Sequence, residues 1–182
     1  SKEDKVRELL RRSKENLDRV REEVRKLLKK SRDTLEELRE RAKRLLEEVE
    51  EVIKRLEEEG VISEDTARRL RKALEDIKRD VERSLKEWED RLREILEDVR
   101  KELEDWARAL DEIRKRVEEE DRDEKEIEET IRRVEDMDRR LNERLRKKIE
   151  DAERMDEALR ERVERLIRRV RKELEDVERR VR

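Results

Sequence analysis

The chain of 182 residues contains no histidine, cysteine, proline, tyrosine or phenylalanine, and only one glycine and two tryptophans. Each absence excludes something. Without His or Cys there is no zinc or transition-metal site of the usual ligand types, no thiol nucleophile, no Ser–His pair and no disulfide framework. The longest apolar runs, such as Leu9-Leu10, Val52-Ile53 and Val61-Ile62, are two residues long, so nothing resembles a membrane span or a signal-peptide core. A soluble chain without a targeting signal is expected.

What is present is charge. Asp, Glu, Lys and Arg make up 63% of the residues, yet 56 basic side chains stand against 59 acidic ones and the net charge is -3. The two signs alternate, so no extended basic face is available to track phosphates and no nucleic-acid partner is expected. Arg168-Arg169, with Glu173, Asp176 and Glu178 nearby, reads as a solvated helix surface. A hydrophobic content of 31% would point to disorder in an aperiodic chain. The regular spacing of the apolar residues points to order instead.

Along the first third of the chain the apolar stripe runs Val6, Leu10, Ser13, Leu17, Val20, Val24, and repeats as Val24, Leu28, Ser31, Leu35, Leu38, Ala42, then Leu46, Val49, Ile53 and Leu56. The steps of 4, 3, 4, 3 and 4 make an eighteen-residue repeat of five turns, the period of a straight α-helix. A heptad repeat would impose a left-handed supercoil and an eleven-residue repeat a right-handed one, so this spacing predicts helices that pack with little twist. Two further stripes carry the same period, one from Leu70 to Val117 and one from Ile127 to Val181.

Two punctuation points divide the stripes. Gly60 supplies a left-handed cap, Val61 and Ile62 are expected to fold back onto the helix ends, and Ser63 caps the next helix with Glu64 and Asp65 in its first turn. The stretch 118–126 holds the second connection, where Asp123 and Glu126 read as a capping box. The expected helices cover about 2–59, 64–119 and 124–182. The fold class is all-α: one domain over 1–182, a monomeric up-down-up three-helix bundle of long, nearly straight helices, each about 85 Å long and together rod-like. Glu-to-basic pairs four residues apart (Glu8 to Arg12, Glu15 to Arg19, Glu22 to Lys26, Glu37 to Arg41, Glu40 to Arg44) should add helicity at about 0.2–0.5 kcal/mol each.

Polar residues interrupt the stripes in register. In an antiparallel hairpin, residues at equal height share a constant sum of residue numbers. Ser13 with Trp106 and Ser31 with Trp88 share one such sum; Trp106 with Asp138 and Trp88 with Asp156 share another. Two cross-sections therefore hold one Ser, one Trp and one Asp, while a third, Val49, Leu70 and Leu174, obeys the same sums and is apolar. An indole only donates, a carboxylate only accepts and a hydroxyl does both, so each Asp is expected to accept from both its indole and its hydroxyl. Asp138 and Asp156 lie about 27 Å apart along one helix, too far to act on one substrate, and are expected to be structural rather than catalytic or metal-binding. Asn16 and Asn142 are expected to hydrogen-bond at a layer's rim, and Met137 and Met155 to pack adaptably.

The exact repeat, the Leu/Ile/Val stripe, the Arg/Glu/Lys surface and the spare capped turns, taken over residues 2–182, resemble de novo parametrically designed single-chain three-helix bundles. That resemblance implies a structural scaffold of high thermal stability with no cellular role, no enzymatic activity, no cofactor and no partner, its Ser–Trp–Asp layers fixing helix register. The alternative is a natural spectrin-like or coiled-coil structural rod, whose repeats are usually less regular and richer in aromatics. A lipid-binding apolipoprotein-like chain would carry wide apolar faces and helix-breaking prolines, and this chain has no proline.

Overall fold

The computed structural model describes residues 1–118 and 123–181. They form three helices: α1 Lys2–Glu58, α2 Glu64–Glu118 and α3 Glu124–Val181. Their lengths are 57, 55 and 58 residues, and no strand occurs among the described residues. The protein is an all-α three-helix bundle. The starts of all three helices and the end of α1 agree with the expected ones to within a residue; the expected ends at 119 and 182, and 119–122 of the expected second connection, lie outside the described residues.

Helix formers such as Leu, Glu, Lys and Arg fill these segments, and the ends are closed by side chains and backbone turns. The Ser1 hydroxyl accepts from the Asp4 amide at 3.3 Å. After α1 the chain makes a Schellman turn: Val61 N–H donates to Leu56 C=O at 2.9 Å and Gly60 N–H to Glu57 C=O at 3.1 Å. Gly60 takes φ 73°, the left-handed conformation that this turn demands. The Ser63 hydroxyl then accepts from the Thr66 amide at 3.2 Å, and the Asp123 carboxylate from the Glu126 amide at 2.9 Å, opening α2 and α3. Val61 departs from expectation. Its amide is held by the turn while its side chain, 43% exposed, stays outside the core; only Ile62 is half-buried.

Two compact units share the three helices: Ser1–Lys29 with Leu92–Glu153, and Lys30–Arg91 with Arg154–Arg182. In the first unit, Val6, Leu17, Val99, Trp106, Val134 and Leu145 form the centre of an apolar core, with Met137 packed at its margin. Ser13 reaches Asp138, Trp106 reaches Ser13 and Lys148 reaches Glu102, so every pair of helices is joined. In the second unit the buried centre includes Ile53, Ala67, Val163 and Ile167. There Arg71 binds Glu50, Ser31 binds Asp156 and Arg162 approaches Glu87, again joining each pair. Within each unit α1 and α3 run in one direction and α2 in the other.

The buried arc is wider than a single stripe. Leu45 is buried and Leu46 only half-buried, although the four-three spacing selects Leu46. Thr34 and Ser84, each one residue before a stripe position, are also buried. The cause is geometric: each helix faces two neighbours, so the flanking positions are covered as well. The surface ion pairs are likewise rearranged. Glu8 does pair with Arg12 at 3.3 Å, but Glu15 pairs with Arg11, Glu22 with Arg25, and Arg41 crosses to Glu164 on α3. Positions three and four residues apart are both within reach on a helix, and an arginine is long enough to leave it.

Candidate functional site

Ser13, Trp106 and Asp138 meet in the first unit, and Ser31 and Asp156 meet in the second. Ser13 and Ser31 stand on the innermost face of α1 and are 1% and 0% exposed. A hydroxyl at that depth must both donate and accept to be satisfied. Ser13 does so: it donates to Asp138 Oδ1 at 2.9 Å and accepts from Trp106 Nε1 at 3.2 Å. The result is a directed chain from indole to hydroxyl to carboxylate.

This geometry corrects the expectation that Asp138 would accept from both partners. Burial explains the order. Trp106 and Ser13 are buried, whereas Asp138 is half-exposed, because a carboxylate loses several kcal/mol if it is drawn fully away from water. The serine therefore stands between donor and acceptor. Asp138 Oδ1 also accepts from Asn16 Nδ2 at 3.3 Å, so its inward oxygen already has two donors. Asn16 and Asn142 meet as expected, with Nδ2 of the former donating to Oδ1 of the latter at 2.8 Å. Arg19 closes the rim by donating to Asn16 Oδ1.

The second layer repeats the α1-to-α3 link. Ser31 donates to Asp156 Oδ2 at 2.9 Å, across the same 125-residue separation as Ser13 and Asp138. Trp88, the expected indole of this layer, is also buried. In place of the asparagine pair, Arg160 donates to Thr34 Oγ1 at 3.3 Å, across the same 126-residue separation as Asn16 and Asn142. The third cross-section is apolar: Val49, Leu70 and Leu174 line one small gap.

Sequence spacing missed one buried and two half-buried polar side chains, Ser84, Glu102 and Lys148. Ser84 Oγ donates to the Asp80 carbonyl at 2.8 Å, one turn back on its own helix. Lys148 donates to Glu102 Oε1 at 2.8 Å, and Glu102 Oε2 is buried without a partner. Both positions precede a stripe residue, so counting residues adjacent to the stripe would have flagged them. Glu102 falls one repeat beyond Ser84 on α2, and Lys148 one repeat before Leu166 on α3. One unit thus places an ion pair where the other has Ser84 and Leu166.

Chemically the layers hold hydroxyls with no imidazole or amine placed as a base, and a hydroxyl without a base is a poor nucleophile. Among the described residues no group of three or more carboxylates is placed to hold a metal ion. No helix among the described residues is long and apolar enough to cross a membrane. Comparison with protein-family models, curated proteins and solved structures found no match.

Proposed function

We propose that the chain is a structural scaffold without catalytic activity, of the kind a parametrically designed three-helix bundle represents, and that its two Ser–Trp–Asp layers fix helix register. The observation that supports this reading is the pairing of Ser13 with Asp138 and Ser31 with Asp156 across one identical separation. A slide of one helix by a single turn strands both serines and moves each carboxylate against leucine or valine, so wrong alignments are penalised at two levels. The layers need not add stability, since apolar replacements of buried polar sets are often neutral or favourable.

The test replaces a whole layer by its apolar counterpart: Ser13→Val, Trp106→Leu and Asp138→Leu, following Val49, Leu70 and Leu174. The triple variant should unfold in guanidinium at the same or a higher midpoint than the parent, which itself should unfold only above about 5 M. Replacing both layers should leave helicity intact while broadening amide resonances, as alternative registers become populated. A triple variant destabilised by more than about 3 kcal/mol, the scale of breaking a required buried pair, refutes the register role.

A further inference from the structure

The apolar stripes leave one choice open. Once α1 and α2 form an antiparallel pair, α3 can pack on either side of it, and stripes that bury the middle of each helix are satisfied both ways. On α1 apolar residues stand on both flanks of that middle, Leu9 and Leu27 on one, Leu10 and Leu28 on the other. Ser13 lies at the centre, so its bond to Asp138 at 2.9 Å can form in either arrangement, as can that of Ser31 to Asp156.

The polar side chains beside the stripe do distinguish the two. Three residues advance roughly 300° around a helix, so Asn16 stands about 60° to one side of Ser13, and Thr34 holds the same place beside Ser31. From that flank Asn16 Nδ2 donates to Asp138 Oδ1 at 3.3 Å and to Asn142 Oδ1 at 2.8 Å. Thr34 Oγ1 accepts from Arg160 at 3.3 Å, and Arg41, further along the same flank, pairs with Glu164. All of these partners are on α3. Arg39, Glu50 and Glu57 stand on the opposite flank of α1, and their partners, Glu89 and Arg71, are on α2. On α2, Glu102 reaches Lys148 of α3 at 2.8 Å.

Asn16 is the most constrained of these groups. Asp138 only accepts and an arginine only donates, so the contacts of Asp138 with Nδ2 and of Arg19 with Oδ1 fix which end of the amide faces which way. With α3 on the other side of the pair, this flank of α1 would face α2. Asn16 would lose Asn142 and lie at the height of the buried Leu103, Arg41 would lose Glu164, and Glu102 would lose Lys148. An amide turned against apolar side chains without partners is unfavourable. We propose that the flanking polar groups, Asn16 above all, decide on which side of the α1–α2 pair α3 packs. This goes beyond the register reading: the central layers fix height, and the flanks fix hand.

The test uses the full chain with Arg12→Cys and Arg139→Cys, both exposed positions, carrying nitroxide labels for electron–electron dipolar spectroscopy. Arg12 is on the Asn16 side of α1, and Arg139 lines one hollow with Leu9 and Asn142. The labels therefore share an edge when α3 packs as observed and stand on separate edges otherwise, farther apart by about one interaxial spacing of 8–10 Å. After refolding from guanidinium the parent should give one short distance. Asn16→Ala, Arg41→Ala, Glu102→Ala, Lys148→Ala and Arg160→Ala together should add the longer distance in at least about one molecule in ten, the population of a state disfavoured by no more than tenfold. Restoring Asn16 alone in that background should remove it. If the fivefold variant lacks helicity by circular dichroism, Asn16→Asp takes its place: it keeps the side chain's shape, sets a second carboxylate against Asp138 only in the observed arrangement, and should also yield the longer distance. A single short distance in the helical fivefold variant or in Asn16→Asp, or a longer distance that persists when Asn16 is restored, overturns the proposal. The register reading would survive that result, because it is tested by the guanidinium midpoint of the layer replacement.

Discussion

Replacing Ser13 and Ser31 by alanine removes the same atom from the same kind of place, and the structure says the two losses will differ. Both serines are buried, so the small cavity each substitution leaves is nearly the same and cancels in the comparison. At Ser31 one link is lost, the donation to Asp156 at 2.9 Å. At Ser13 two are lost, because the same hydroxyl donates to Asp138 and accepts from Trp106. Asp138 is half-exposed and keeps its contact with Asn16, so it can turn to water. The Trp106 indole cannot; at 1% exposure its N–H is stranded. A buried donor left without an acceptor costs about 1–3 kcal/mol, so Ser13→Ala should be more destabilising than Ser31→Ala by roughly 1–2 kcal/mol. Guanidinium unfolding of both variants, compared at equal slope, measures the difference. A second arm isolates the cause: with Trp106→Phe already in place there is no donor to strand, and Ser13→Ala should then cost no more than Ser31→Ala. Equal costs in the parent, or no coupling between positions 13 and 106, would refute the assignment of the indole to the serine oxygen.

Gly60→Ala meets no atom within 4 Å, so its whole effect comes from forcing an L side chain to a φ of 73°; a loss of about 1 kcal/mol is expected in thermal melts, and Gly60→Asn should recover part of it. Glu102→Ser combined with Lys148→Leu copies Ser84 and Leu166 into the first unit and removes a buried carboxylate oxygen that has no partner; chemical denaturation should find the double variant neutral to about 1 kcal/mol more stable, and a clear loss would show that the ion pair itself is needed. Stability should be flat through neutral pH, since no histidine is present, and should decline in acid. The carboxyls of Glu8, Glu22 and Glu97 are held below their ordinary value of 4.5 chiefly by hydrogen bonds from Arg11, Arg25 and Arg100. Their contribution is therefore complete above that value and disappears as pH falls through the lowered ones. All three are exposed, so the acid loss should be small and should shrink further in high salt; melts at pH 7, 4 and 2.5 with and without 1 M salt would detect the opposite trend.

How much of this was legible depends on how each feature is encoded. The end of α1 and the starts of α2 and α3 were readable to within a residue because Gly60, Ser63 and Asp123 each satisfy a specific unpaired backbone group, and those residue types at chain turns have few other uses. Register was readable because a hydroxyl and a carboxylate placed at regular intervals in an apolar stripe have to find each other. The flanks were harder. Leu45, Thr34, Ser84 and Glu102 are covered because a helix in a three-helix bundle touches two neighbours, and a single stripe drawn along each helix describes only one line of contact. Surface ion pairs were the least predictable, since Arg11 can choose between Glu8 and Glu15 and Arg41 can leave its helix altogether.

The direction of the hydrogen-bond chain was hidden for a different reason. Residue types state what a group can donate or accept, but depth decides who stands in the middle, and depth depends on the angular position of each side chain to a precision that counting residues does not reach. Asp138 in its apolar stripe looks like a core acceptor; in the folded protein it is only half-buried, because even a well-bonded carboxylate is more stable when part-hydrated. The serine, small and neutral, tolerates the depth that the carboxylate avoids. It thereby becomes the relay between a donor that must be buried for its apolar mass and an acceptor that must stay near water. A Ser–Trp–Asp layer built this way separates two tasks, filling the interior and holding alignment, and assigns them to different residues. That division predicts that Trp106→Leu should cost mainly packing, with a dependence on cavity volume of about 24 cal/mol per Å³, whereas Asp138→Leu should cost little in packing but leave the Ser13 hydroxyl without its acceptor.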